Sequence, residues 1–159
     1  EVVAVDGGRG QMSWKLQTDA RVRVLDRVNV RGIGAEEIGG AVPVAVADLA
    51  FISLLTVAPA LARCTTANAH LVLLVKPQFE AGRARVGKGG IVRDPAVHRD
   101  VLIEVATGLA SHGLPVVGAI ASPITGADGN REFLVHIDRA GTAIDAACLL
   151  GAVAEEPAA

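Results

Sequence analysis

Three short apolar runs, each closed by a charged residue, constrain this chain more than anything else in it. They are Val2-Val3-Ala4-Val5 before Asp6, Val42-Pro43-Val44-Ala45-Val46-Ala47 before Asp48, and Leu71-Val72-Leu73-Leu74-Val75 before Lys76. Runs this short and this rich in β-branched residues predict strands of a parallel sheet, buried on both faces. Parallel strands need crossover connections, and the segments between them carry helical signals. Residues 54–63 read as a helix, followed by a Thr/Asn-rich turn. Asp94-Pro95 is an N-cap acid with proline at the first helical position, and Val97, Val101, Leu102, Val105 and Leu109 then recur at helical spacing until Gly113 stops them.

Weaker signals fill the remainder. Gly7, Gly8 and Gly10 make a turn, and a short helix is expected to begin at 11–16. Arg21-Val22-Arg23-Val24-Leu25 alternates as an edge-ward strand does, and 36–38 make one helical turn closed by Gly39-Gly40. Residues 114–121 and 132–137 read as two further strands around a Gly/Pro turn region at 122–130. A helix is expected over 142–153, with 155–159 loose. The order is that of an α/β protein: a doubly wound, mostly parallel sheet closed by a terminal antiparallel hairpin. Residues 1–140 are expected to form the domain and 141–159 its C-terminal tail.

Composition excludes several classes of function. The chain has 159 residues, half of them apolar, and a formal net charge of −2, which argues against a generally basic nucleic-acid coat. Cys64 and Cys148 lack metal-ligand spacing and the four histidines are scattered, so no metal site and no oxidising compartment are expected. The stretch 41–62 has Asp48 as its only charge, but Pro43 and Pro59 interrupt it, and a carboxylate at mid-membrane costs about 2.5–3.5 kcal/mol. A strand followed by a helix explains it better than a membrane span. The opening Glu1-Val2-Val3 is already inside a strand-like pattern, so the chain reads as a fragment whose head has been removed.

Ligands of such sheets lie beyond the carboxyl ends of the strands, where Asp6, Asp48 and Lys76 all sit. Asp6, between a strand and a glycine turn, fits an acid that accepts hydrogen bonds from two ribose hydroxyls. The neighbouring Gly8-Arg9-Gly10-Gln11-Met12-Ser13 lacks the third glycine of a dinucleotide fingerprint and is discarded as a phosphate loop. Lys76 beside Asp48 is either an amine tuned to activate or orient a hydroxyl, or a lysine snorkelling out at a strand end. Residues 81–93 carry Arg83, Arg85, Lys88 and Arg93 with no acid among them, interleaved with glycines. That stretch is either a mobile loop that follows a phosphate backbone or a plain solvated one.

The string Leu74-Val75-Lys76-Pro77-Gln78-Phe79-Glu80, with Val86-Gly87-Lys88-Gly89-Gly90-Ile91-Val92-Arg93-Asp94, resembles the hemolysin-A (TlyA) family of FtsJ-like ribosomal RNA 2′-O-methyltransferases. Val46-Ala47-Asp48-Leu49-Ala50-Phe51-Ile52-Ser53-Leu54 and the stretch from Ser122-Pro123 through Gly129-Asn130-Arg131-Glu132-Phe133 agree with it. The resemblance implies a Rossmann-like methyltransferase fold, S-adenosylmethionine as methyl donor, and cytidine ribose of small- and large-subunit rRNA as target, in the cytoplasm. Of the family's Lys-Asp-Lys-Glu tetrad, Asp48, Lys76 and Glu132 match. The first lysine, the first strand with its glycine-rich cofactor loop, and the N-terminal S4-like domain are missing.

By the same resemblance Asp6, Asn29 and Asp48 line the cofactor; where the 81–93 loop follows RNA, Arg83, Arg85, Lys88 and Arg93 are the residues expected to contact it, with Phe79 stacking on an exposed base. Phe51 is expected to pack under the loop rather than stack on a base. Partners are then rRNA or ribosomal subunits, without membrane or metal, and the sheet edge left by the lost strand is open to a second chain. The fragment is expected to be inactive alone. A non-catalytic RNA-binding or ribosome-assembly module, and a hemolysin-like membrane-active protein, are the competing readings.

Overall fold

A computed structural model describes residues 1–10, 12–126 and 129–154, with the side chains of 152 and 153 excepted. The elements follow the expected alternation. Strand β1 (Val2–Asp6) leads through α1 (Trp14–Gln17) to β2 (Val22–Asp26), and α2 (Ala35–Ile38) precedes β3 (Val42–Ala47). Helix α3 (Leu54–Cys64) runs into β4 (Thr65–Val75), and α4 (Pro77–Glu80) is a single turn at its end. Helix α5 (Pro95–Ser111), β5 (Val116–Ala121), β6 (Phe133–Asp138) and α6 (Ala146–Ala154) complete the chain. The expected helix start at Gln11 and the loose tail at 155–159 lie outside the described residues.

Four strands form one sheet in the order β3-β4-β6-β5, and β1 pairs with β2 in a separate two-stranded piece. Both β1–β2 and β3–β4 are parallel, whereas β6 inserts between β4 and β5 and runs antiparallel to each. Alternation along β4 buries Ala69, Leu71, Leu73 and Val75, and along β6 it buries Phe133, Val135 and Ile137. Helices α3 and α5 cover that face with Leu54, Val57, Ala58, Val101, Leu102, Val105 and Leu109. Burying each large apolar side chain of this kind contributes roughly 1.5–3 kcal/mol. Asp94 Oδ1 accepts the Ala96 N–H at 2.8 Å and starts α5 as its sequence predicts. Leu149 of α6 reaches the same core.

Two expectations are corrected. The Thr/Asn-rich stretch after α3 is not a turn: β4 begins at Thr65, directly after the helix. The Arg139 guanidinium makes this abrupt change feasible, because its Nη1 donates to the carbonyls of Ala62 (2.9 Å), Thr65 (2.6 Å) and Thr66 (3.2 Å) where a turn would otherwise satisfy them. Nor are β1 and β3 buried strands, for Val2, Val44 and Val46 are 57%, 63% and 80% exposed. Among the described residues each of these strands pairs on one edge only. Their free edges line one groove of about 750 Å³, floored by Ile33, Ile38, Ala60 and Cys64.

Candidate active site at the strand ends

Asp48 follows the last residue of β3 and Lys76 the last of β4. The β4–β6 ladder closes on the pair Val75 and Phe133, so the next positions outward are Lys76 and Glu132. Three chain segments thus deliver an acid, an amine and a second acid to one end of the sheet. Lys76 Nζ lies 2.6 Å from Asp48 Oδ1; the lysine side chain is mostly shielded, the aspartate mostly open to solvent. Glu132 is buried, and its Oε1 accepts the Gln78 Nε2–H at 3.2 Å. That bond fixes the amide of Gln78, whose Oε1 is left as a buried acceptor with no hydrogen-bond partner among the described residues. Gly126 abuts the carboxylate so closely that a Cβ there would lie 2.6 Å from Glu132 Cδ.

The remaining expected ligands sit on the smaller sheet. Asp6 is half-buried, with one carboxylate oxygen accepting the Gly8 N–H at 2.6 Å and the other facing no hydrogen-bond donor among the described residues. Asn29 Oδ1 caps the single turn that follows it, accepting from the Arg31 backbone N–H at 3.1 Å, so only its amide nitrogen remains for a ligand. Asp48 stands at the rim of the groove between the two sheets, the one expected cofactor residue shared with the lysine site.

Between the segments that follow Asp48 and Lys76 opens a cavity of about 450 Å³ lined by Phe51, Ser53, Gln78, Phe79, Arg83 and Gly87, among others. Phe51 does not pack under the loop as expected. It is 91% exposed, with its ring centroid 5.2 Å from that of Phe79. The backbone explains the difference: a φ of 62° at Phe51 turns the side chain outward. Arg83, Lys88 and Arg93 are exposed around this cavity and the loop beyond it. Arg85 is not available in the same way. Its guanidinium makes a two-pronged pair with Glu104 at 3.0 and 2.8 Å, which holds its pKa above the usual arginine value, and its Nε donates to the Ala81 carbonyl at 2.8 Å.

Several contributors escape a sequence reading. Asn130 Oδ1 accepts the Val92 N–H and its Nδ2 donates to the Gly90 carbonyl, both at 3.1 Å. His98 Nε2 meets the Val92 carbonyl at 2.9 Å, and burial holds the pKa of this imidazole down. Glu80 binds Ser53 and Leu54 across the site. Glu80 and Gln78 both belong to the Lys-Pro-Gln-Phe-Glu string, which was the available signal for them. Among the described residues no group of three or more His, Cys, Asp or Glu could hold a metal ion, and no helix is long and apolar enough to cross a membrane.

A strand-end Lys–Asp pair with a glutamate in register, on a mostly parallel sheet carrying one antiparallel strand, defines a Rossmann-like methyltransferase fold, and residues 1–139 match the FtsJ-like methyltransferase family. The chain belongs to that family. It is 48% identical over 136 residues to the 16S/23S rRNA (cytidine-2′-O)-methyltransferase TlyA of Mycobacterium tuberculosis, covering 86% of this chain and 51% of that protein. It is 37% identical over 137 residues to Hemolysin A of Brachyspira hyodysenteriae, covering 86% of this chain and 57% of that protein. A solved Streptococcus thermophilus structure with a hemolysin-type name superposes with a TM-score of 0.91 at 39% identity, over 96% of this chain and 56% of that one. The chain thus spans about half the length of the curated relatives it matches.

Proposed function

We propose that this chain carries the catalytic strand ends of a cytoplasmic S-adenosylmethionine-dependent methyltransferase that modifies the ribose 2′-hydroxyl of cytidine in ribosomal RNA. The Lys76–Asp48 ion pair with Glu132 at the adjacent ladder position carries the reading, because a spaced Asp, Lys and Glu from three segments has no packing purpose at a strand end. Family membership and the activity named for the Mycobacterium tuberculosis relative support it.

In this reading Asp6 and Asp48 hold the cofactor, with Asn29 beside it through its amide. The bound cofactor supplies an electrophilic methyl group on sulfur. The 2′-hydroxyl would take that methyl group on its oxygen and give up its proton to water. Lys76, held in place by its ion pair with Asp48, donates to that oxygen and lowers the energy of the negative charge it develops. Glu132, fixed by Gln78 and walled in by Gly126, stands at the position opposite Lys76 just beyond the end of the β4–β6 ladder. Orientation of this kind is worth about 7–11 kcal/mol in favourable cases, and rigid strand ends are suited to it. Phe79 and Phe51 offer faces to an unstacked base, and Arg83, Lys88 and Arg93 offer charge to the backbone, with Arg85 fastening their loop to α5.

The test is transfer of an isotopically labelled methyl group to ribosomal subunits by a chain of the relatives' full length. Methylated cytidine ribose is expected. Binding of rRNA without methylation would select a non-catalytic module instead. S-adenosylmethionine titrated against this 159-residue chain is expected to bind weakly or not at all.

A further inference from the structure

One carboxylate ties together two loops that carry the site yet touches none of the tetrad residues. Glu80 closes α4, just after Lys76. Its Oε2 accepts the Ser53 Oγ–H at 2.6 Å and its Oε1 accepts the Leu54 N–H at 2.8 Å. Ser53 Oγ already caps α3 by accepting the Leu55 N–H at 3.1 Å, so α3 would start without Glu80. The second acceptor is reached across 26 residues and is partly buried, which pushes the Glu80 carboxyl up from its usual range. A plain helix cap requires neither the distance nor that burial.

The bracket has a specific load. Residues 48–53 run from Asp48 to Ser53 and include Phe51 in the left-handed region, a strained conformation for a non-glycine residue. Such strain persists only where the surroundings over-determine it. The Asp48–Lys76 ion pair fastens one end of this segment to the end of β4, Glu80 fastens the other end to α4, and the Phe51–Phe79 ring contact lies between. The three contacts form a closed frame around one wall of the 450 Å³ cavity.

We propose that Glu80 is a positioning residue for methyl transfer, holding 48–53 against α4 so that the Asp48–Lys76 pair and the Phe51–Phe79 wall keep a single geometry. Its purpose rests on the methyltransferase reading; the bracket itself does not, and the two are tested separately.

The chain contains three phenylalanines, and Phe133 is fully buried in the core, its ring against His98 and Arg131 rather than in the frame. Labelling all three with 4-fluorophenylalanine therefore gives two reporters of the frame and one of the core. Glu80→Ala is expected to move the ¹⁹F signals of Phe51 and Phe79 toward the solvent-averaged position while Phe133 stays. Glu80→Gln is expected to restore both, since its carbonyl can accept from Leu54 and its amide can donate to Ser53 Oγ. If Glu80→Ala also displaces Phe133, Ser53→Ala decides: displacement confined to Phe51 and Phe79 supports the bracket, and unmoved signals overturn it. In the full-length enzyme Glu80→Ala should lower kcat by about 10²-fold with the KM for S-adenosylmethionine unchanged, and Glu80→Gln should recover most of it. A displaced frame with unaltered kcat overturns the positioning role. No methylation by the unsubstituted enzyme overturns the methyltransferase reading and leaves the ¹⁹F result standing by itself.

Discussion

Phe51 combines two unfavourable conditions at one position, a left-handed backbone and an apolar ring left almost wholly in solvent. Glycine relieves the first, worth roughly 1–2 kcal/mol, and loses about 0.5–1 kcal/mol to chain entropy. Phe51→Gly should therefore raise stability in urea by on the order of 0.5–1 kcal/mol. If the ring stacks on a base, the same change should weaken rRNA binding by about 1–3 kcal/mol in a filter-binding assay. At Gly126 the opposite balance holds. A methyl group there meets the Glu132 carboxylate, so Gly126→Ala should turn Glu132 away from Gln78 and cut methyl transfer at least tenfold, read as kcat in the full-length enzyme. Lys76→Ala should abolish transfer with cofactor affinity nearly intact; measurable turnover would remove the lysine from the chemistry.

At the scale of elements, α5 and the loop before it respond to pH through His98, which is held below its ordinary value of 6.5, chiefly by burial. The unfolded chain takes up a proton on this imidazole sooner than the folded one. Its contribution to stability is then complete above pH 6.5 and lost as pH falls through the folded value. Glu80 has the reverse sign: its raised pKa stabilises the fold below 4.5 and ceases to do so as pH rises through the folded value. Urea midpoints of His98→Gln and Glu80→Gln across pH 4–7.5 should flatten opposite limbs of the profile. Asp94→Ala should cost α5 about 1 kcal/mol by the same assay. Elements were legible where local rules decide them, as at Asp94-Pro95, Gly113 and the strand ends at Asp48 and Lys76. The early start of β4 was not, because Arg139, far along the chain, replaces the turn. The Lys-Pro-Gln-Phe-Glu string marks Glu80 but not what it binds: its partners lie at 53 and 54, and only the fold brings them close.

For the molecule as a whole, the legible part was the alternation of strands and helices and the end of the sheet at which Asp48, Lys76 and Glu132 are placed. Strand order was not, since a hairpin of β5 and β6 reads the same whether β6 ends the sheet or inserts between β4 and β5. Apolar runs also do not announce how many edges of a strand are paired: those at β1 and β3 predict enclosed strands, yet among the described residues each pairs on one edge only. Those two edges present rows of amide and carbonyl groups with valines between them, the pattern that templates strand addition. Held at high concentration, this chain should therefore scatter light progressively and gain β-sheet signal without unfolding first. Val44→Lys and Val46→Lys should raise the concentration at which that begins, and the two edges left unpaired among the described residues would then set how long a solution of the protein remains clear.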